Sequence, residues 1–288
     1  MTAIRDVMQQ GARALRDAGI QGARLDASVL LAHVLGVERA WLYAHPECEV
    51  APEEQRRFLA LIERRAHGEP VAYLVGHKEF YGLDFVVDQR VLIPRPETEL
   101  LVDAALAVIR QRMADGQVPL VADIGTGSGA IPIALAVTEP RLPYLYASDI
   151  SAGALAVARL NCQRHHVEDR VRLLQGDLLA PLPEPVDILT ANLPYVGLEE
   201  MDVLAADVRA YEPHVALFSG PQGLDLLRRF AAETRRAGKL RPGAALLLEI
   251  GYQQREPLIA LFQAIWPQAA ITSMKDYSGQ DRLLQIFV

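Results

Sequence analysis

Residues 121–129 read Val-Ala-Asp-Ile-Gly-Thr-Gly-Ser-Gly, an apolar run that breaks into glycines at alternate positions. A short apolar run bounded by such a break is a buried strand. Glycines so close together let the backbone turn tightly from the strand into a helix. A strand that passes straight into a helix belongs to a βα unit, and repeated βα units build a parallel sheet. From about residue 119 the chain keeps to that rule. Strands are predicted over 120–124, 144–149, 171–175, 186–191, 244–250 and 270–274, with 283–288 closing the chain. Helices are predicted between them over about 129–137, 152–164, 222–237 and 253–265. Two successive strands at the end predict an antiparallel hairpin on one edge of a mostly parallel sheet. The fold class is α/β.

The preceding residues are organised differently. At 288 residues the chain has room for one large and one small unit. Residues 1–68 read as short helices: Ile4, Val7, Met8 and Leu15 share a face of the first, which ends near Gly19. The second runs over 25–35 and is closed by Gly36. Pro52 opens a third, with Phe58, Leu59, Leu61 and Ile62 inward and Gly68 at its end. Residues 79–93 are rich in aromatic and β-branched side chains and predict a β-hairpin that breaks at Asp88-Gln89-Arg90. Three parts result: a helical bundle over 1–76, a hairpin linker over 77–95, and the α/β domain over 96–288. Pro96 at a first turn with Glu97 and Glu99 suits a helix start. Arg95, between Pro94 and Pro96, has a backbone held stiff on both sides, which makes it a candidate substrate contact.

The glycine turn Gly125-Thr126-Gly127-Ser128-Gly129 has the spacing GxGxG, not the GxGxxG of a pyrophosphate loop. Such a turn closes over an adenosine and its tail. Asp149 ends the second strand, 20 residues after Gly129, where a carboxylate accepts from ribose hydroxyls. Asp177 follows the third strand, placed to accept an adenine amino proton, and Leu178 offers the base an apolar wall. Each acid alone is an ordinary loop residue. Together, on consecutive strand ends, they predict nucleoside binding.

The fourth strand chooses between cofactors. It runs into Asn192-Leu193-Pro194-Tyr195, where Pro194 has no N–H to continue a ladder. As a bland reading, this is a strand-ending turn. As a site, Asn192 Oδ1 and the Leu193 carbonyl accept both N–H groups of an amide or aromatic amine, and Tyr195 packs on its plane. A dehydrogenase needs no such box, and no Lys or Tyr-Lys pair stands ready to polarise a carbonyl. An S-adenosylmethionine-dependent nitrogen methyltransferase needs two acceptors there.

Composition removes other classes. The formal charge of −7, with ten Lys and Arg against eleven Asp and Glu over residues 1–80, argues against a broad nucleic-acid footprint. Cys48 and Cys162 have no metal or redox spacing, and His33, His45, His67 and His77 no ligand spacing, so no metal is expected. The charged start Met1-Thr2-Ala3-Ile4-Arg5-Asp6 and the lack of an 18-residue apolar run predict a cytoplasmic protein off the membrane.

The segments Pro70–Tyr73, Glu79–Gly82, Ile93–Glu99, Asp123–Gly129 and Asn192–Tyr195 come in an order and spacing that resembles the HemK/PrmC family. Later segments resemble it too: Tyr211–Pro213, Ala216-Leu217, Gly223-Leu224, Leu248–Gly251 and Asp276-Tyr277. These are the bacterial peptide chain release factor N5-glutamine methyltransferases. The resemblance implies a class I Rossmann-like methyltransferase sheet behind a small helical bundle and hairpin. It implies as substrate the glutamine of the Gly-Gly-Gln loop in class-1 release factors, with the N-terminal unit recognising that protein. Carried onto this chain, Gly125–Gly129, Asp149, Leu178 and Asn192 hold S-adenosylmethionine, while Asn192, Leu193, Pro194 and Tyr195 hold the glutamine. The family box is usually Asn-Pro-Pro-Tyr; Leu193 keeps the carbonyl, loses rigidity and adds an N–H that needs a partner. Rivals are an adenine-N6 nucleic-acid methyltransferase, the sister enzyme for a ribosomal-protein glutamine, and a cofactor-binding scaffold without catalysis.

Overall fold

A computed structural model of the chain describes residues 2–288, the side chain of Val203 excepted; Met1, part of the charged start, lies outside the described residues. Two compact units emerge, Met1–His77 with Leu204–Tyr211, and Lys78–Val203 with Glu212–Val288.

In the first unit the order is β1 (Thr2–Ala3), α1 (Ile4–Asp17), α2 (Ala23–Leu35), α3 (Arg39–Ala44), β2 (Glu49–Val50), α4 (Pro52–Ala66) and α5 (Val71–Val75). Its core gathers Ile4, Val7, Leu15, Leu30, Leu31, Leu42, Phe58 and Ile62, all nearly or fully buried. Pro52 takes the first helical position of α4, and the Glu54 carboxylate accepts the Ala51 N–H at 3.0 Å. Gly11 of α1 lies under Phe58, whose ring would come within 2.4 Å of a Cβ there. Phe58 and Ile62 of α4 are buried, and Leu59 and Leu61, half-buried, pack against the same core, as the inward face predicts. Helices α3 and α5 and the short antiparallel pair β1–β2 have no counterpart in the sequence reading. The short helix over Ala206–Tyr211 also belongs here, with Tyr211 Oη donating to the His67 carbonyl at 3.2 Å.

The second unit begins at Lys78, within the hairpin of β3 (His77–Phe80) and β4 (Leu83–Val86). Its turn is at Tyr81-Gly82, which corrects the break expected at 88–90. Tyr81 takes a φ of 54° and Gly82 one of 71°. Their N–H groups are held by carboxylates: Tyr81 by Glu99 at 2.9 Å and Gly82 by Glu79 at 2.6 Å. Asp88-Gln89-Arg90 is a separate turn beyond the strand, closed by Val91 N–H to the Asp88 carbonyl at 3.1 Å.

A single 3₁₀ turn, Pro96–Thr98, leads into α6 (Glu99–Ala114). The alternating part follows as β5 (Val121–Ile124), α7 (Ala130–Thr138), β6 (Leu145–Asp149), α8 (Ala152–Arg164), β7 (Val171–Gln175) and β8 (Val186–Ala191). After the Ala206–Tyr211 helix, numbered α9, come α10 (Asp225–Arg236), β9 (Leu240–Glu249), α11 (Arg255–Ile265), β10 (Ala270–Lys275) and β11 (Asp281–Phe287). Seven strands form one sheet in the order β10-β11-β9-β8-β5-β6-β7. The five from β9 to β7 are parallel, and β11 runs antiparallel to both β9 and β10, so the expected edge hairpin is present.

Both faces of this sheet are covered, which is why β5 reads as uninterrupted apolar sequence apart from Asp123. On one face Ile124, Leu189, Leu246 and Leu248 pack with Leu227 and Phe230 of α10 and Leu258 and Phe262 of α11. Burying each such side chain stabilises the unit by about 1.5–3 kcal/mol. The register then decides where the loops emerge. Ile124 pairs with Ser148 and with Ala191, and Ala191 pairs with Leu248. The segments starting at Gly125, Asp149, Asn192 and Glu249 therefore leave the sheet at one level. Since β6 and β8 flank β5 on opposite sides, that level is the point where strand order reverses, the usual ligand crevice of such sheets. Among the described residues no helix is long and apolar enough to cross a membrane.

Candidate functional site

A cavity of about 460 Å³ opens at this edge, lined by Ile124–Ser128, Ser148–Ser151, Gly176–Leu178 and Asn192–Pro194. That size falls in the range of small-molecule sites. Arg90–Leu92, Pro94, Arg95 and Thr98 line another wall, and Pro213, Val215, Ala216, Phe218, Ser219, Asp225, Leu226 and Arg229 a further one, with Ala130, Ile131 and Ala154 completing the lining.

The glycine turn is built by backbone hydrogen bonds to β6. The N–H groups of Gly125 and Thr126 both donate to the Ser148 carbonyl at 2.9 Å, and Gly127 N–H donates to Asp149 Oδ2 at 2.9 Å. The other carboxylate oxygen, Oδ1, accepts the Ser151 N–H at 2.8 Å. Asp149 thus ends β6 as expected and braces the turn at the same time. Gly125 has φ 73°, and a Cβ on it would lie 2.9 Å from Leu193 Cδ2; Gly129, with φ 80°, begins α7 where a Cβ would meet Ile133 at 3.0 Å. Only glycine serves at either position. Asn161, fully buried on α8, was missed by the sequence reading. It donates to the carbonyls of Val86 (3.0 Å) and Ser128 (2.9 Å) and accepts from Val86 N–H (2.7 Å), tying the turn to the hairpin.

Beneath the turn lies Asp123, 1 % exposed. Its Oδ1 accepts from the Thr190 hydroxyl at 2.7 Å. Its Oδ2 and the Thr126 hydroxyl are buried without a hydrogen bond among the described residues. Burial pushes the Asp123 carboxyl up to about 7, against the pull of the Thr190 hydroxyl. Burial likewise raises Asp149, opposed by the N–H groups of Ser151, Gly127 and Ile150.

Asp177 lies two residues past β7 and its carboxylate accepts from the Arg229 guanidinium. Leu178 is buried with φ 47°, a conformation that a branched side chain adopts only under constraint, and it lines the cavity. Arg95 lines the cavity as well, but its guanidinium is paired with Glu212, a carboxylate 1 % exposed that also accepts the Ile93 N–H at 3.1 Å. Its charge is therefore already engaged in holding residues 93–95 to the segment after Glu212.

At the end of β8 the box divides. Asn192, Leu193 and Pro194 line the cavity; Tyr195 is not among the lining residues. The Leu193 side chain is 3 % exposed and packs over Gly125, while its N–H and carbonyl make no hydrogen bond among the described residues. The amide of Asn192 donates through Nδ2 to the Thr98 hydroxyl at 3.1 Å. That hydroxyl donates to Glu249 Oε2 at 2.6 Å, and the Tyr195 hydroxyl donates to Glu249 Oε1 at 3.1 Å. Glu249 is 2 % exposed. Burial raises its carboxyl, and the hydroxyls of Thr98 and Tyr195 and the charge of Arg282 oppose the rise. The Tyr195 phenol is raised too, by burial first and then by the Glu249 charge. Thr98 and Glu249 stand 151 residues apart in the chain and were not predicted as site residues. Both fall inside segments that carried the family resemblance, the one signal available for them.

Chemically, the edge has two acceptors with no hydrogen bond among the described residues, Asn192 Oδ1 and the Leu193 carbonyl, on residues that line the same cavity as the glycine turn and Asp149. Residues 6–76 match the family PrmC N-terminal domain, and residues 99–208 match the methyltransferase small domain. A release factor glutamine methyltransferase from Moorella thermoacetica is 43% identical over 280 residues, covering 97% of this chain and 96% of that protein. Another from Rhodopirellula baltica is 40% identical over 280 residues, covering 94% and 91%. Among solved structures, the hMettl16 catalytic domain in complex with the MAT2A 3′UTR hairpin 6 aligns with a TM-score of 0.55 at 17% identity. That alignment covers 78% of this chain and 81% of the other, and the likeness is one of fold.

Proposed function

Since the chain belongs to the release factor glutamine methyltransferase family, we propose that it transfers the methyl group of S-adenosylmethionine to the side-chain amide nitrogen of the Gly-Gly-Gln glutamine in class-1 release factors. It is a methyltransferase; the donor and the identity of the glutamine are the substance of the proposal. The donor fits the residues present. Asp149 has the position of a ribose acceptor, Leu178 and Asp177 frame the base, and the turn of Gly125–Gly129 bounds the space for the tail. When bound, S-adenosylmethionine supplies an electrophilic methyl group on a sulfonium.

The observation that carries the reading is the orientation of Asn192. Its Nδ2 is turned to Thr98 and gives it one hydrogen, which leaves the oxygen as the opposite end, for a ligand. With the unpaired carbonyl of Leu193 it accepts both N–H groups of a carboxamide. An amide nitrogen is a poor nucleophile because its lone pair is delocalised, as the barrier of about 18–20 kcal/mol to rotation reflects. Two fixed acceptors hold the nitrogen with its lone-pair face towards the methyl. They also stabilise the positive charge that grows on it. Alignment of this kind supplies about 7–11 kcal/mol of a barrier. Asn192, Leu193 and Pro194 meet the substrate directly, and Arg95 braces the neighbouring wall through Glu212. Tyr195 holds the loop from behind.

The test is incubation of the purified protein with labelled S-adenosylmethionine and, separately, a class-1 release factor, a ribosomal protein or duplex DNA, followed by mass mapping of the product. Label on the Gly-Gly-Gln glutamine is the expected result. Label on adenine, or on another protein's glutamine only, overturns the assignment.

A further inference from the structure

Asn192 contains an amide whose two ends differ little in shape but are opposite in hydrogen-bonding sense. A site that grips an NH₂ group works only if the oxygen faces it; the reversed amide meets the substrate donor to donor. Something must set that direction, and the residues behind Asn192 do so through a chain of single choices. Glu249 is an acceptor at both oxygens when ionised, taking Thr98 at Oε2 and Tyr195 at Oε1. The Thr98 hydroxyl has one proton and gives it to Glu249. Towards Asn192 it therefore has only lone pairs, and Asn192 must present Nδ2.

We infer that Glu249 and Thr98 are positioning residues that fix the polarity of the Asn192 amide, so that a buried carboxylate two hydrogen bonds away determines that the site accepts N–H groups. The inference rests on the glutamine reading for its catalytic consequence, though not for the geometry itself. Removing the charge frees the hydroxyl. A neutral side chain at position 249 can offer Thr98 a hydrogen, Thr98 then donates towards Asn192, and the amide turns over. Replacing Thr98 by valine removes the acceptor outright and leaves the shape. Serine restores it. Tyr195, sharing Glu249, stiffens the far side of the same loop, and Arg282, held by Asp276 at 3.1 Å, places a positive charge near the carboxylate and favours its ionised form.

The test uses the full chain as wild type, Thr98→Val, Thr98→Ser and Glu249→Gln, with the release factor as methyl acceptor. Thr98→Val and Glu249→Gln should each lower kcat by about tenfold or more, while KM for the release factor and Kd for S-adenosylmethionine move by less than about threefold. Thr98→Ser should recover kcat to within about threefold of wild type. In ¹⁵N spectra, the Asn192 side-chain amide, assigned by its loss in Asn192→Ala, should exchange its protons slowly in wild type and quickly in Thr98→Val. That reading needs no methyl acceptor. If wild type leaves the release factor unmodified, the substrate assignment fails and the exchange result still judges the inference. The inference is overturned if Thr98→Val keeps kcat and slow exchange, or if serine rescues no better than valine. It is also overturned if kcat falls only in step with cofactor affinity.

Discussion

Asp149 Oδ2 accepts the backbone N–H of Gly127 at 2.9 Å, so one carboxylate closes the glycine turn and also lines the cavity that the turn shapes. The acid proposed to accept from the ribose thus also braces the loop that shapes its cavity. Removing it has two effects on one quantity. Asp149→Ala should weaken S-adenosylmethionine binding by about tenfold or more, through a lost charged acceptor and a loosened turn. Asp149→Asn, which keeps one oxygen, should lose less. Calorimetric titration of the two variants checks the order, and unchanged affinity in Asp149→Ala would take the residue out of the cofactor site.

Asn192 separates from Asp149 in what it affects. On the proposed function its side chain meets the reacting amide, and it makes no hydrogen bond to the glycine turn, so Asn192→Ala should cut turnover by about a hundredfold or more. Cofactor affinity should stay within about threefold, because the backbone at 192–194 still forms the cavity wall. Single-turnover rates beside calorimetry read both numbers. Retained turnover would remove Asn192 from the transfer.

Asp123 provides a pH signature. Its carboxyl, buried under the turn, is pushed up to about 7, far above its unfolded value near 3.8. A group raised in this way stabilises the fold fully below its unfolded pKa, and that contribution is lost as pH climbs through the folded one. The physical reason is visible: protonated, Asp123 has a hydrogen for its orphaned Oδ2 to offer, with the orphaned Thr126 hydroxyl close by. Wild-type stability relative to Asp123→Asn, which never ionises, should therefore fall between about pH 4 and pH 8. The change is at most about 4 kcal/mol. Denaturant midpoints of both proteins across that range give the difference, and a flat difference would contradict the shift.

How much of this could be read in advance varies by residue for physical reasons. The sheet was legible in Val121–Gly129 because a strand buried on both faces must be apolar and must turn on glycine to start its helix. The α8 limits, Ala152–Arg164, were legible because Ser151 caps the helix, accepting the Ala154 N–H at 3.1 Å. The hairpin turn was not. Asp88-Gln89-Arg90 has turn chemistry, whereas the positive φ of Tyr81 is accompanied by its N–H donating to the Glu99 carboxylate 18 residues away, and no local preference reports that. For the same reason the place of Asn192 at the end of β8 was legible and its support was not. Thr98 and Glu249 meet across 151 residues, and Tyr195, whose type suggested stacking, is drawn off the cavity by the carboxylate it shares.

The carbonyl of Tyr195 offers the last test, because it is held by a residue with no contact to the cavity. Gln254, 7 % exposed, donates through Nε2 to the Tyr195 carbonyl at 2.8 Å, and its Oε1 accepts the Gly251 N–H at 3.0 Å. Both ends of this amide are committed, so its direction is set without a charge. Gln254→Leu keeps the volume and strands three backbone groups, the Gly251 N–H and the carbonyls of Tyr195 and Gly223, at a cost of up to about 1–3 kcal/mol each. Gly223 closes the same spot from the other side, with φ 74° and a Cβ position only 2.0 Å from the Tyr195 carbonyl oxygen. Alanine there must push the Tyr195 backbone, and with it the loop that carries Asn192. Both variants should lower the melting temperature, Gln254→Leu by about 2–4 °C for each kcal/mol lost. Both should also reduce turnover more than cofactor affinity, since the glycine turn is braced from β6 and not from this side. Thermal melts with paired rate and affinity measurements decide the matter. Full turnover in Gly223→Ala would mean that the loop tolerates displacement and that the grip on the amide is not set by its backbone.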